Sequence, residues 1–138
     1  MLFRYETQGA YHYNYELPSL IAIYNRDINN LELSNYHGID QIITIDVIDM
    51  DKIFHLLMNE KKLYDIKGLP STPVLDGVQE KFFFSNGLKK VELITFNTNY
   101  YFDLKKEDVP DDVYVVLDLF YKIAEILKKY NVKLRLEK

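Results

Sequence analysis

The sequence predicts an α+β fold: an antiparallel or mixed β-sheet of hairpins, with two main helices at about residues 50–64 and 110–130 packed on one face. Three observations lead there. Short segments of alternating apolar and polar residues recur along the chain, interrupted by two stretches of helical periodicity. Asn86-Gly87 separates two β-rich runs, which is the strongest short-range hairpin signal. Strand-like and helical segments are partly segregated rather than strictly alternating, which argues against a parallel βαβ design. A chain of 138 residues reads as a single domain, residues 1–138, long enough to bury roughly two-thirds of its unfolded surface.

The elements follow in order. Phe3, Tyr5 and Thr7 alternate with Arg4 and Glu6, and Tyr11, Tyr13, Tyr15 and Leu17 alternate with His12, Asn14 and Glu16. Gln8-Gly9-Ala10 joins the two runs, so a hairpin is expected there. Ser19 to Tyr24 reads as a third strand, and Leu31-Glu32-Leu33 as a short one. Gln41 to Val47 is rich in isoleucine and reads as an internal strand. Asp49 fits the N-cap of a helix whose apolar face is Ile53, Phe54, Leu56, Leu57 and Leu63. Gln79 to Ser85, with Phe82-Phe83-Phe84, and Lys89 to Phe96 form the Asn-Gly hairpin, both of whose turn residues should take positive φ. Exposed Phe82 to Phe84 would offer a homodimer interface. Asn97 to Asp103 reads as either strand or loop.

The clearest element runs from Pro110 to Tyr130. Pro110 suits the first helical position, and Asp111 and Asp112 suit the first turn. Val113, Val116, Leu117, Phe120, Ile123, Ala124 and Leu127 recur at helical spacing. Lys128 and Lys129 close the helix, and Asn131 suits a left-handed cap. Val132, Leu134 and Leu136 then alternate with Lys133, Arg135 and Glu137 as a final strand.

From residue 76 onward the layout is Asp76-Gly77, the aromatic strand Phe82-Phe83-Phe84, Asn86-Gly87, a charged return strand, Asn97 to Tyr100, Pro110 and a long helix. This layout resembles small bacterial proteins of the immunity-protein type. The resemblance covers residues 76–138. It implies a toxin-binding role but carries over no functional residue, and Phe stands where that layout commonly has Trp.

Charge and composition narrow the function classes. There is no cysteine, so disulfides, thiol catalysis and zinc ribbons are excluded. No signal-peptide pattern and no apolar run of membrane-spanning length is present, so a cytoplasmic protein with no membrane partner is expected. Lysine outnumbers arginine 14 to 3, and Ile and Asn are abundant. That bias points to a low-GC bacterial or phage genome. The net charge is −4, and a nucleic-acid partner is not expected, because phosphate neutralisation needs a basic patch.

The deficit lies in the first half: residues 1–70 carry 10 acids and 6 bases, residues 71–138 carry 11 of each. Asn25 to Asp51 alone holds six acids against Arg26. From this segment come the candidate partner-binding residues Glu32, Asp40, Asp46, Asp49 and Asp51, with Tyr36 as an aromatic anchor. An acidic surface would steer a basic protein, a toxin or host enzyme, and mask it.

Other chemistry reads more weakly. Asp46, Asp49, Asp51 and His55 have the donor types for Mg²⁺ or Mn²⁺ and would serve a metal-dependent hydrolase, but capping and the helix dipole also account for Asp49 and Asp51. The face His12-Asn14-Glu16 resembles any solvated strand face, and the Tyr11-Tyr13-Tyr15 stripe suits either a core or a binding surface. Twelve tyrosines would also suit a small-ligand module, a sponge for a metabolite or nucleotide. The five glycines are scattered and form no phosphate loop. The expectation is therefore a non-enzymatic interaction protein with no catalytic residue, no metal site and no cofactor.

Overall fold

The computed structural model describes residues 1–9, 21–25, 29–34, 41–70, 78–96, 100–101 and 104–131. Among the described residues six strands form one sheet: β1 (Phe3–Gly9), β2 (Ile21–Asn25), β3 (Asn30–Ser34), β4 (Gln41–Thr44), β5 (Val78–Ser85) and β6 (Lys90–Phe96). Their spatial order is β4-β3-β2-β1-β5-β6. Every pairing is antiparallel, so the expected α+β class is present in its antiparallel form. Two helices, α1 (Val47–Asn59) and α2 (Asp111–Leu127), complete it. No helix among the described residues is long and apolar enough to cross a membrane.

The period of two along each strand gives the sheet two unlike faces. On the inner face one row runs Ile43, Leu31, Phe3, Phe84, Val91 from β4 to β6, crossing β2 at position 24. The next row pairs Tyr5 with Phe82 and Leu93. Leu31, Phe3, Phe84, Val91, Tyr5, Phe82 and Leu93 are buried, and Ile43 is half-buried. A third row, Thr7, Glu80 and Thr95, is polar yet also buried. The Tyr5 hydroxyl donates to Glu80 Oε2 at 2.6 Å, so the hydroxyl has a partner inside the core.

Helix α2 presents Val113, Val116, Leu117, Phe120, Ile123, Ala124 and Leu127, all buried, together with Leu119. Phe120 lies 4.6 Å from the Tyr5 ring and edge-on to Phe82 at 5.4 Å. Helix α1 adds Met50, Ile53 and Leu57, and the tight helical turn Lys61–Asp65 adds Leu63. Sheet and helices share one apolar cluster, which is the helix-on-one-face arrangement expected.

The open face carries the alternate row: Ile42, Glu32, Arg4, Phe83 and Glu92, crossing β2 at position 23. Arg4 pairs with Glu92 at 3.1 Å and Glu6 at 3.3 Å, and its guanidinium sits 5.5 Å over the Phe83 ring. Solvent screens such pairs.

Several expectations are corrected. Over Phe3 to Glu6, β1 is paired on one side with β2 and on the other with β5. Gln8 and Gly9 continue β1, where the sequence suggests a connection. Among the described residues the isoleucine-rich strand is four residues long and pairs only with β3, at the end of the strand order; Ile42 faces solvent and only Ile45, past the strand's end, is buried. Helix α1 begins at Val47 with Asp46 at the N-cap, so Asp49 is not the cap but lies inside the first turn. Pro110 is the residue before α2 and not its first.

At the hairpin only Gly87 takes positive φ, at 90°. Asn86 instead accepts hydrogen bonds through Oδ1 from the amides of Leu88 and Lys89, at 2.9 and 2.8 Å. The aromatic run is not an exposed interface: Phe82 and Phe84 are core residues, because alternate strand positions point to opposite faces. The left-handed Asn131 cap is present, at φ 60°. The expected strand at Tyr11–Leu17, the final strand after Asn131 and the segments 97–99 and 102–103 lie outside the described residues; Tyr101 is buried.

Phe120→Ala should destabilise the fold by about 3–5 kcal/mol, through lost burial and the cavity left behind. Leu88→Ala, at the exposed hairpin tip, should stay within about 0.5 kcal/mol of wild type. Urea denaturation followed by circular dichroism measures both.

Candidate partner-binding surface

The acid-rich segment forms the corner where β4 gives way to α1. After Thr44 the chain buries Ile45, whose amide donates to the Asn29 carbonyl at 2.8 Å. Asp46 follows in an extended conformation, φ −62° and ψ 144°, and its side chain makes no capping bond. Its backbone N–H donates instead to the Tyr130 hydroxyl at 2.9 Å. A side chain from beyond the end of α2 thus satisfies an amide at the start of α1, where main-chain donors lack partners.

Asp49 is the centre of this corner. It is only 4% exposed. Tyr130 donates its hydroxyl to Asp49 Oδ2 at 2.5 Å, and Lys129 Nζ reaches the same oxygen at 2.8 Å. Lys129 is also 3.4 Å from Asp46 Oδ2, and Lys52 lies 3.9 Å from Asp49 Oδ1. A buried carboxylate is tolerable only with such partners. The hydrogen bonds from Lys129 and then Tyr130 hold the Asp49 carboxyl below its ordinary value, against the opposing effect of burial. Burial, followed by the hydrogen bond to Asp49, pushes the Tyr130 phenol up.

The structure divides the candidate residues. Asp46 and Asp49 are brought together on Lys129. Asp49 faces inward and is engaged by these ties, so it is not a solvent-facing docking group. Asp46 is open, its side chain 68% exposed, and Asp51 is half-buried on α1. Glu32 lies on the open sheet face, exposed and directly opposite Ile42. Tyr36 and Asp40 lie outside the described residues, as do the Tyr11-Tyr13-Tyr15 stripe and His12-Asn14-Glu16. Among the described residues, no three His, Cys, Asp or Glu side chains converge as a metal-ion cage.

Sequence reasoning missed the apolar part of this surface. Ile48 is 71% exposed, Ile42 63% and Val47 56%. Three branched aliphatics within seven residues face solvent, Ile42 on β4 and Val47 and Ile48 at the start of α1, with Asp46 between them. Isolated exposed apolar residues are ordinary, but grouped ones signal an interaction surface. The signal available was the shortness of the run between Asp40 and Asp46, which suits an edge strand better than an internal one. Tyr130 was also missed, since its role depends on a contact between residues 81 positions apart.

Asp49→Asn should cost about 2 kcal/mol at neutral pH, the typical loss for hydrogen bonds to a charged group. Because the folded state holds this carboxyl below its unfolded value of 3.8, its contribution is fully present above that value. It is lost as pH falls through 3.8 toward the lower folded value. The stability gap between wild type and Asp49→Asn should therefore close in acid, as urea titrations at a series of pH values would show.

In comparisons with known proteins, no family model and no curated protein matches this chain.

Proposed function

We propose that the chain is a non-enzymatic interaction protein, a cytoplasmic immunity or inhibitor protein that binds and masks a basic partner, a toxin or host enzyme, through the corner between β4 and α1. The observation that carries this reading is the exposure of Ile42, Val47 and Ile48 beside Glu32, Asp46 and Asp51. Desolvated aliphatic anchors slow dissociation, and a rim of one charge sign speeds encounter with the opposite sign. The two features together fit a basic protein surface with an apolar centre. A nucleic acid fits poorly, because the acids would repel its phosphates. The bacterial immunity-type layout from Asp76 onward points the same way.

The test starts with affinity capture of the tagged chain from its native host, followed by native mass spectrometry. A stoichiometric complex with a basic protein is expected; recovery of the bare chain alone counts against the reading. With the captured partner, Ile48→Asp should weaken binding about tenfold or more, mainly through faster dissociation. The pair Glu32→Lys with Asp51→Lys should slow association and flatten its salt dependence. Unchanged affinity in both variants would remove this surface from the account.

A further inference from the structure

The two edges of the sheet are built differently. Strand β6 ends the sheet with Lys90 and Glu92 exposed along it, and Lys89 beside its start. Charged residues, lysine above all, are the usual guards against another strand adding to an edge. Among the described strands β4 ends the other side, and Gln41-Ile42-Ile43-Thr44 contains no charge and no proline. Among the described residues its only sheet neighbour is β3. Its exposed alternate side chains are Ile42 and Thr44, and the isoleucine is 63% open to solvent. An unguarded edge with an outward isoleucine is a template for strand addition.

The charge around this edge selects what can add to it. Glu32 sits one strand inward, opposite Ile42. Asp46 follows two residues beyond the strand's end, and Asp51 lies in the helix that starts there. Lys129 offsets part of this charge at Asp46 and Asp49, but Glu32 stands outside that cluster on the open face. An extended segment laid along β4 would place every second side chain on the open face, beside Ile42 and within reach of Glu32 for a long basic side chain.

We propose that β4 docks an extended basic segment of a partner protein as an added strand, with alternate apolar side chains meeting Ile42 and lysine or arginine side chains meeting the acids. This rests on the interaction reading above and specifies its mode. Main-chain hydrogen bonds along β4 would supply affinity, and the acids would supply selectivity.

The test uses isotope-labelled full-length chain and three synthetic peptides of equal length: a strand-forming peptide alternating Lys with Val and Thr, its Glu counterpart, and a helix-forming Lys-Ala peptide of the same charge. Amide exchange at Gln41 to Thr44 is followed by nuclear magnetic resonance. The basic strand peptide should slow exchange there about tenfold, as hydrogen bonding to the edge requires; the acidic peptide should not. Ile42→Lys, at an exposed position and checked for folding by its melting temperature, should abolish the effect. Ile94→Lys near the opposite edge should preserve it.

If both basic peptides perturb residues around Glu32, Asp46 and Asp51 while β4 exchange is unchanged, strand addition is overturned and the acidic docking surface stands. If neither basic peptide perturbs this region at any salt concentration, both readings fall. If the β4 amides that point away from β3 are already slow in the free chain, the edge is occupied by the chain itself and the proposal is overturned.

Discussion

The contact of Phe120 with Tyr5 and Phe82 sets the rest of the molecule. It joins the middle of the sheet, where β1 lies between β2 and β5, to the middle of α2. Aromatic contacts of this kind contribute about 0.5–1.5 kcal/mol beyond the area they bury. Their larger consequence is orientation. With Tyr5 and Phe82 turned inward, the strand period of two obliges Arg4, Glu6 and Phe83 to face the other way. One face is therefore helix-covered and apolar, and the other carries the Arg4 ion pairs.

The helices are held to each other by a polar tie as well as by packing. Asp49 in the first turn of α1 accepts from Lys129 and Tyr130 beyond the end of α2. The Tyr130 hydroxyl at the same time accepts from the Asp46 amide. Removing Lys129 or Tyr130 would leave the buried Asp49 carboxylate short of a partner, which is why such networks cost more to damage than their pairwise contacts suggest. The tie also fixes the corner from which Val47 and Ile48 project. A surface built on a pinned helix start loses little freedom when a partner binds, and that preorganisation favours affinity.

Much of the scaffold could be read locally. The apolar repeat from Val113 to Leu127, the acids at the start of that helix and the left-handed Asn131 depend on spacing and turn chemistry within a few residues. The Phe82 to Phe96 hairpin is equally local, although its turn uses the Asn86 side chain where positive φ was expected. The errors fell where a neighbour far along the chain decides the outcome. Gln41 to Thr44 has an internal strand's composition, but among the described strands it pairs only with β3, at the end of the order. Asp49 has the composition of a cap and the location of a buried tie. The acids Glu32, Asp46 and Asp51 are legible as charge, whereas Ile42 and Val47 read as part of an internal strand and are exposed in the fold.

The amino-acid order by itself determined the class of fold, the two helices, the Asn-Gly hairpin and the concentration of negative charge in the first half. Each is a property of composition or of short-range periodicity, which survives any arrangement of the elements. Only the tertiary structure decided the strand order, which acid is buried and which is open, and that Ile42, Val47 and Ile48 face water. These depend on pairings between distant residues, such as Tyr130 with Asp49 or Phe3 with Phe84. Local sequence preferences are nearly indifferent to such pairings; burial and hydrogen-bond satisfaction across the assembled core are not.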